Sequence, residues 1–257
     1  MKLTFLGTGS AMPTGNRLQT GLLLEAEDKS LLVDCGSGVV HGLAATEHGY
    51  EDIDTVLLTH HHLDHLSDLL VLIKAQWLAG KESLEIVGPP ETEEVVSGLL
   101  AVHDYMQGRL DLTVREIEPE ETPITVEGFE IQAMLTRHSM ECLAYRFEQD
   151  AEPAFVFSGD SEAFEELVEF ADGAALLVHD CSFPDEVDVS NHPTPSQLGT
   201  VLADAAADIG RVYLTHLYPH TEGNYEQMLE SLGDHYDGEV RFAQDGMTVN
   251  VNEPEKR

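Results

Sequence analysis

Short apolar runs rich in Leu, Val and Ile alternate with amphipathic stretches along the chain, a pattern that predicts a mixed α/β fold. Residues 2–6, 21–25 and 30–33 read as three strands laid down before any helix, the first gap (7–17) being rich in Gly and Pro. Helical spacing of apolar residues predicts helices over 39–48 and 66–78, with a buried strand at 55–58 between them. Further on the pattern predicts a strand at 84–87, a helix over 91–105, and strands at 112–117, 131–135, 143–147 and 154–157, with Gly128 at a hairpin turn. The last third alternates again, with helices over 161–170, 195–208 and near 225–232 and strands at 175–178 and 211–214. There is no internal repeat, and 257 residues fit one large domain spanning 1–257.

Composition leaves ample material for a core, with 42% hydrophobic residues, but the charge balance is unusual. Against 48 Asp and Glu stand 13 Lys and Arg, a formal charge of −35, and the acids are spread (25–28, 91–94, 116–121, 162–169) instead of gathered in a tail. Such a surface repels itself at ordinary salt. Molar salt shortens the screening length to about 3 Å, so the pattern reads as a halophilic adaptation to a salt-rich cytoplasm. Cys35, Cys142 and Cys181 are odd in number and far apart, which suggests neither a disulfide framework nor a thiolate zinc site. No apolar run reaches the roughly 18 residues that span a bilayer, and the chain opens on a strand pattern, so the expectation is a soluble cytoplasmic protein with no membrane partner.

The candidate chemistry sits after the 55–58 strand. Thr59-His60-His61-His62-Leu63-Asp64-His65 packs four strong metal-ligand side chains, His60, His62, Asp64 and His65, into six positions. On extended backbone residues two apart point the same way, so His60 and His62 can converge on one ion while Asp64 and His65, at the turn into the next helix, face another. Neutral imidazole and carboxylate suit zinc, manganese or iron.

H-x-H-x-D-H after a Thr at the end of an apolar strand resembles the signature of the metallo-β-lactamase superfamily, and the likeness extends along almost the full chain. That resemblance implies an αββα sandwich, two mixed β-sheets flanked by helices, with two divalent ions, zinc foremost and manganese or iron as alternatives. It also implies three further ligands: His138, Asp160 in Ser158-Gly159-Asp160, and His216 in Leu214-Thr215-His216. By that match His60, His62 and His138 hold one ion and Asp64, His65 and His216 the other. Asp160 is shared, and a hydroxide bridges ions roughly 3.5 to 4 Å apart.

Phe5-Leu6-Gly7-Thr8-Gly9-Ser10-Ala11-Met12-Pro13, with Arg17 and Val33-Asp34-Cys35-Gly36-Ser37-Gly38, is similar to the ribonuclease Z and phosphoribosyl cyclic phosphodiesterase branch. In that branch a carboxylate orients a histidine that protonates the leaving oxygen. The match places Asp180 and His192 in those roles, although ribonuclease Z usually has Glu where Asp180 stands. Asp64, Asp180 and His192 are thus the candidate catalytic residues.

Only 22 positions separate His138 from Asp160, too few for the long basic arm by which ribonuclease Z grips tRNA, and Arg137 and Arg146 are the only bases nearby. A small phosphodiester, such as a cyclic nucleotide or a sugar phosphate, is therefore expected ahead of RNA. The alternatives are a ribonuclease Z-type tRNA 3′-end endonuclease without the arm, and a di-iron redox or non-catalytic metal-binding protein. The resemblance further implies a homodimer.

Overall fold

Strand periodicity sorts the side chains of this chain between interiors on both faces of each sheet. In β1 (Lys2–Gly7), Leu3 and Phe5 enter one core and Leu6 another; in β2 (Gly21–Ala26), Leu22 and Leu24 part from Leu23; in β3 (Lys29–Val33), Leu31 and Val33 part from Leu32. Strands buried on both faces read as continuous apolar runs, which is why these segments show little polar alternation. The computed structural model describes residues 1–27, 29–149 and 152–252, so Asp28, at the end of the first acidic run, lies outside it.

The first half continues with helix α1 (Val39–Leu43), β4 (Thr55–Leu57), the one-turn α2 (Leu63–Leu66), α3 (Leu69–Ala79), β5 (Ser83–Gly88), α4 (Thr92–Val102) and β6 (Asp111–Glu116). The second half runs β7 (Ile124–Val126), β8 (Phe129–Leu135), β9 (Leu143–Glu148), β10 (Phe155–Phe157), α5 (Glu165–Phe170) and β11 (Leu176–Asp180). It ends with α6 (Pro195–Asp204), β12 (Val212–Thr215), α7 (Tyr225–Gly233) and β13 (Val240–Phe242), before β14 (Thr248–Asn250) returns to pair with β1. The sheets are ordered β14-β1-β2-β3-β4-β5-β6 and β13-β12-β11-β10-β9-β8-β7. Each consists of antiparallel pairs at one end and three parallel pairings at the other.

Between the sheets lies a core that includes Phe5, Phe129, Tyr145, Phe147, Phe155 and Tyr213, with Phe147 and Phe155 stacked 5.2 Å apart. A second core packs α1, α3 and α4 on the outside of the first sheet through Val40, Leu72, Ile73 and Val96, and a third packs α5, α6 and α7 on the second through Val168, Leu198, Leu202 and Met228. This is the expected αββα sandwich. No helix among the described residues is long and apolar enough to cross a membrane.

Two hydrogen bonds join the sheets at one edge: Leu143 N donates to Thr59 O (3.0 Å) and Tyr145 Oη to Leu58 O (2.8 Å). They fix β9 of one sheet to the chain leaving β4 of the other, where the histidine cluster begins.

Several boundaries differ from the sequence expectation for local reasons. The helix expected over 39–48 ends at Leu43, where both Thr46 N and Thr46 Oγ1 bond Leu43 O (2.9 and 2.8 Å). The helix expected from 161 starts at Glu165, because Ser161 N reaches Asp180 (3.3 Å) and Glu162 N reaches Arg137 O (3.0 Å), holding this stretch against the neighbouring loops. The three-residue strands β7, β13 and β14 had not been expected.

Candidate metal centre

Strand ends carry most of the cluster, with Asp64 and His65 on the one-turn α2 just after β4 and His192 in the loop between β11 and α6. Asp34 follows β3, His60 follows β4, Asp160 follows β10, Asp180 ends β11 and His216 follows β12, all members of the parallel arrays, while His138 follows β8. The chain turns sharply there: Asp34 (φ 60°) and His216 (φ 58°) adopt left-handed backbone, a conformation that side-chain-bearing residues hold only when their surroundings impose it. Glycine serves the same turns. A Cβ on Gly36 would sit 2.0 Å from Asp64 O, and Gly159, at φ 56°, lies where a Cβ would press Cys142 Sγ and Leu143 O at 3.0 Å.

Two side-chain groups result, one of His60, His62, His138 and Asp160, the other of Asp64, His65 and His216, each with ligand atoms within 4.8 Å of one another. In the first, His62 Nδ1 is 3.0 Å from His60 Nε2 and 3.1 Å from His138 Nε2, and Asp160 Oδ2 is 3.7 Å from each of those two Nε2 atoms. In the second, Asp64 Oδ2 is 3.1 Å from His216 Nε2 and 3.8 Å from His65 Nε2. Asp160 stands between the groups, with Oδ1 3.2 Å from His65 Nε2 and Oδ2 3.3 Å from His216 Nε2.

Four of the five rings turn Nδ1 outward. His65 Nδ1 donates to Asp34 Oδ2 (2.7 Å), and His60 Nδ1 to Thr59 Oγ1 (3.0 Å), whose own proton goes to Asp34 (2.8 Å). His216 Nδ1 donates to Ser182 Oγ (2.9 Å), whose proton goes to Asp180 Oδ1 (2.5 Å), and His138 Nδ1 reaches Asn191 O (3.4 Å). With the ring protons engaged outside, the Nε2 lone pairs of His60, His65, His138 and His216 face inward together with two carboxylates. His65 Nε2 and Asp160 Oδ1 are buried without a hydrogen-bond partner despite their 3.2 Å separation. Lone pairs converging at this spacing repel one another unless cations lie among them. Nitrogens 2.0–2.1 Å from a tetrahedral ion are about 3.3 Å apart, so the donor set fits two divalent ions.

Titration follows the same geometry. Burial and then the neighbouring His65 hold His60 well below the ordinary imidazole value, favouring its neutral, ligating form. Burial pushes the Asp160 carboxyl up, yet His216, His65 and His60 outweigh it and keep it well below the carboxylate range. Asp64 is lowered too: burial by itself would raise it, but the close contact with His216 and the influence of His65 together outweigh that.

Beside the second group, Asp180 Oδ2 accepts a 2.6 Å bond from His192 Nδ1. The Asp side chain therefore spans the distance although the related branch usually carries Glu there. Burial lowers the basicity of His192, but the Asp180 carboxylate more than reverses this and carries it up to about 9. His192 also comes within ligand distance of Asp160 and His216. A cleft of about 660 Å³ opens over the cluster, lined by His62, Asp64, His138, Asp160, His192 and Tyr218 among others. Tyr218 stacks on Phe183 (4.4 Å) at its rim and leaves it open; His220 is not in its lining.

All nine residues expected from the sequence are thus brought together. What sequence reasoning missed is the outer layer: Asp34 and Ser182, which reach His65 and His216 from 31 and 34 residues away, and Thr59, which sits next to His60 in the chain and links it to Asp34. Asp34 lay inside a quoted motif, and its placement at a strand end before glycines was the available signal.

Comparison with known proteins agrees. The family described as "Anti-Pycsar protein Apyc1" matches residues 1–247. The probable metallo-hydrolase YhfI of Bacillus subtilis is 30% identical over 256 residues, covering 96% of this chain and 98% of the relative; its crystal structure, a metallo-β-lactamase fold protein, superposes with a TM-score of 0.82 at 27% identity, covering 96% of this chain and 98% of that one. Ribonuclease Z of Haloferax volcanii is 27% identical over an alignment of 305 positions, longer than the 257-residue chain, covering 98% of this chain and 95% of the relative. The fold of the short form of human tRNase Z also matches, with a TM-score of 0.76 at 22% identity over 98% of this chain and 99% of that one.

Proposed function

The chain belongs to the Anti-Pycsar protein Apyc1 family and is a metal-dependent hydrolase of the metallo-β-lactamase fold, and from that premise we propose that it is a two-metal phosphodiesterase acting on a small phosphodiester, a cyclic nucleotide foremost. The observation that carries the reading is the pairing of a seven-residue ligand set with a proton donor, His192, on the rim of the same cleft. His60, His62 and His138 would hold one ion and Asp64, His65 and His216 the other, with Asp160, which lies beside both groups, available to each. Two such ions, zinc in the first instance with manganese or iron as alternatives, supply a water that ionises near neutral pH and offset charge on the phosphate.

The chain's own groups do the rest. Asp34, through His65 and Thr59, and Ser182, through His216, hold the rings so that lone pairs stay aimed inward. Asp180 fixes His192 by Nδ1, keeping the proton on Nε2 for the leaving oxygen. A neutral alcohol leaves far more readily than an alkoxide, and such proton transfer contributes roughly 10² to 10⁴ in rate.

A small substrate is favoured over RNA by the stretch from His138 to Asp160. Among the described residues it consists of a short turn and strands β9 and β10, with nothing protruding. The bases beside and within it are engaged: Arg137, just before it, pairs with Glu166 (3.2 Å), and Arg146 pairs with Glu148 (2.7 Å) and donates to Asp172 O (2.9 Å). The alignment with YhfI, close to the chain's own length, fits the same reading.

The dispersed acidity and three buried free cysteines support a reducing, salt-rich cytoplasm. Exposed apolar residues on an otherwise charged surface, Val71, Leu78 and Tyr105 around one shallow cavity and Leu63 in the lining of the cleft, support a homodimer. The test is hydrolysis of 3′,5′-cyclic nucleotides and of bis(p-nitrophenyl) phosphate by the metal-replete protein, with chelated protein and Asp64→Ala as controls. Turnover confined to the metal-replete wild type is the expected result; inertness towards both substrates overturns the reading.

A further inference from the structure

A second cavity, of about 650 Å³, lies against the back of His192. His192 and Ser190 line both it and the cleft over the metal cluster, so the two spaces adjoin with the proposed proton donor in their common wall. The far wall comes from the first turns of α6, including Ser196, Thr200 and Val201, with His235 and Glu162 closing the sides. Asn191 holds the partition in place: its N–H donates to Glu162 Oε1 (3.1 Å) and its carbonyl meets His138 Nδ1 (3.4 Å).

In-line displacement dictates which part of a substrate enters this space. The attacking water forms its bond to phosphorus from one side while the bond to the leaving oxygen breaks on the opposite side. The water gives up a proton to solvent, and His192 Nε2 passes its own to the leaving oxygen. Whatever the leaving oxygen carries must therefore lie on the His192 side. In a cyclic phosphodiester the leaving oxygen and the retained, equatorial ester oxygen belong to one sugar, so the nucleoside extends from phosphorus towards that side.

The walls state what that group can be. They offer hydroxyls, the Gln197 amide, two imidazoles and apolar patches, but no Lys or Arg. The N-terminus of α6, where an anion would otherwise be welcome, is already taken by Asp185, which accepts from Ser196 N (3.0 Å) and Oγ (2.6 Å). Glu162 adds a carboxylate. A second phosphate would meet negative charge with nothing to offset it. The volume lies within the range of small-ligand sites.

We infer that this second cavity is the leaving-group subsite, and that it takes an uncharged, hydrogen-bonding ring group such as the base of a nucleoside, excluding leaving groups that carry further phosphates. The inference rests on the phosphodiesterase reading above and adds to it the chemical class of the leaving group.

Thr200 is exposed on α6 and lines this cavity but not the cleft over the metal cluster, so a change there alters the cavity alone. The experiment measures kcat/KM of the full-length, metal-replete protein for a 3′,5′-cyclic nucleotide and for 1,3-propanediol cyclic phosphate, which has the same six-membered phosphodiester ring without sugar or base. Thr200→Trp is expected to lower the ratio of the two values roughly tenfold or more, chiefly through KM for the nucleotide. Thr200→Lys, which leaves the cavity open and adds a cation, is expected to raise the ratio for a cyclic nucleotide bearing an extra phosphate over its unphosphorylated counterpart. Circular dichroism checks the fold of each variant. If the wild type turns over neither cyclic ester, the phosphodiesterase reading is what fails. If the wild type turns over both and neither ratio moves, the subsite is wrong and the reading stands.

Discussion

Asp180 Oδ2 and His192 Nδ1 lie 2.6 Å apart at the rim of the cleft, a buried carboxylate holding an imidazole that lines the space over the metal cluster. If His192 is a proton donor and not a ligand, His192→Ala retains two ions per chain but loses roughly 10² to 10⁴ in kcat on alkyl phosphodiesters. Its p-nitrophenyl esters, whose leaving group needs no proton, should be little affected. Metal analysis beside the two rate measurements checks this, and loss of an ion would make His192 a ligand.

The pH dependence has a definite sign. The Asp180 carboxylate raises His192 from an ordinary 6.5 to about 9, so the acid form is lost as pH rises through the higher value. Turnover of alkyl esters should fall at alkaline pH as this acid form is lost, and Asp180→Asn should move that fall towards neutrality. In folding terms, a raised value contributes stability that is fully present below 6.5 and lost as pH climbs to about 9. Urea midpoints of the metal-free wild type, measured against His192→Ala, should converge over that window. A constant difference up to pH 10 would contradict the pairing.

Asp34 touches no substrate but holds His65 directly and His60 through Thr59. Asp34→Asn is expected to weaken metal binding about 10- to 100-fold, read by competition with a coloured chelator, while saturating metal restores most of kcat. An unchanged affinity would show that the rings are held by packing alone.

A chain with 48 acids and 13 bases should be more stable in salt. The thermal midpoint is expected to rise steadily from 0.1 M to 2 M KCl, where the screening length falls from about 10 Å towards 3 Å or less. A flat or falling midpoint would remove the case for a salt-rich setting.

Much of this was legible in the sequence because the information is local. Residues 60–65 announce ligands by type and spacing, and the strand at 55–58 is apolar enough to predict its own burial. The distant ligands His138, Asp160 and His216 were legible only through family resemblance, since nothing in their neighbourhoods but turn residues marks them. What stayed hidden is set by contacts across the chain. The hydrogen bonds from His65 to Asp34 and from His216 to Ser182 cross 31 and 34 residues. β13, whose residues are only half-buried, and β14 acquire strand form by pairing with β12 and β1, not from any pattern of their own. The start of α5 was misplaced because Ser161 and Glu162 bond across to Asp180 and Arg137 instead of beginning a helix.

The most direct test of the central claim is a metal titration of the chelator-stripped protein, following hydrolysis of a 3′,5′-cyclic nucleotide as zinc or manganese is added. The account predicts no turnover without metal, full turnover at two ions per chain, and an Asp160→Ala variant that neither binds both ions nor turns over. Full activity in the stripped protein, or saturation of activity at a single ion, would contradict it.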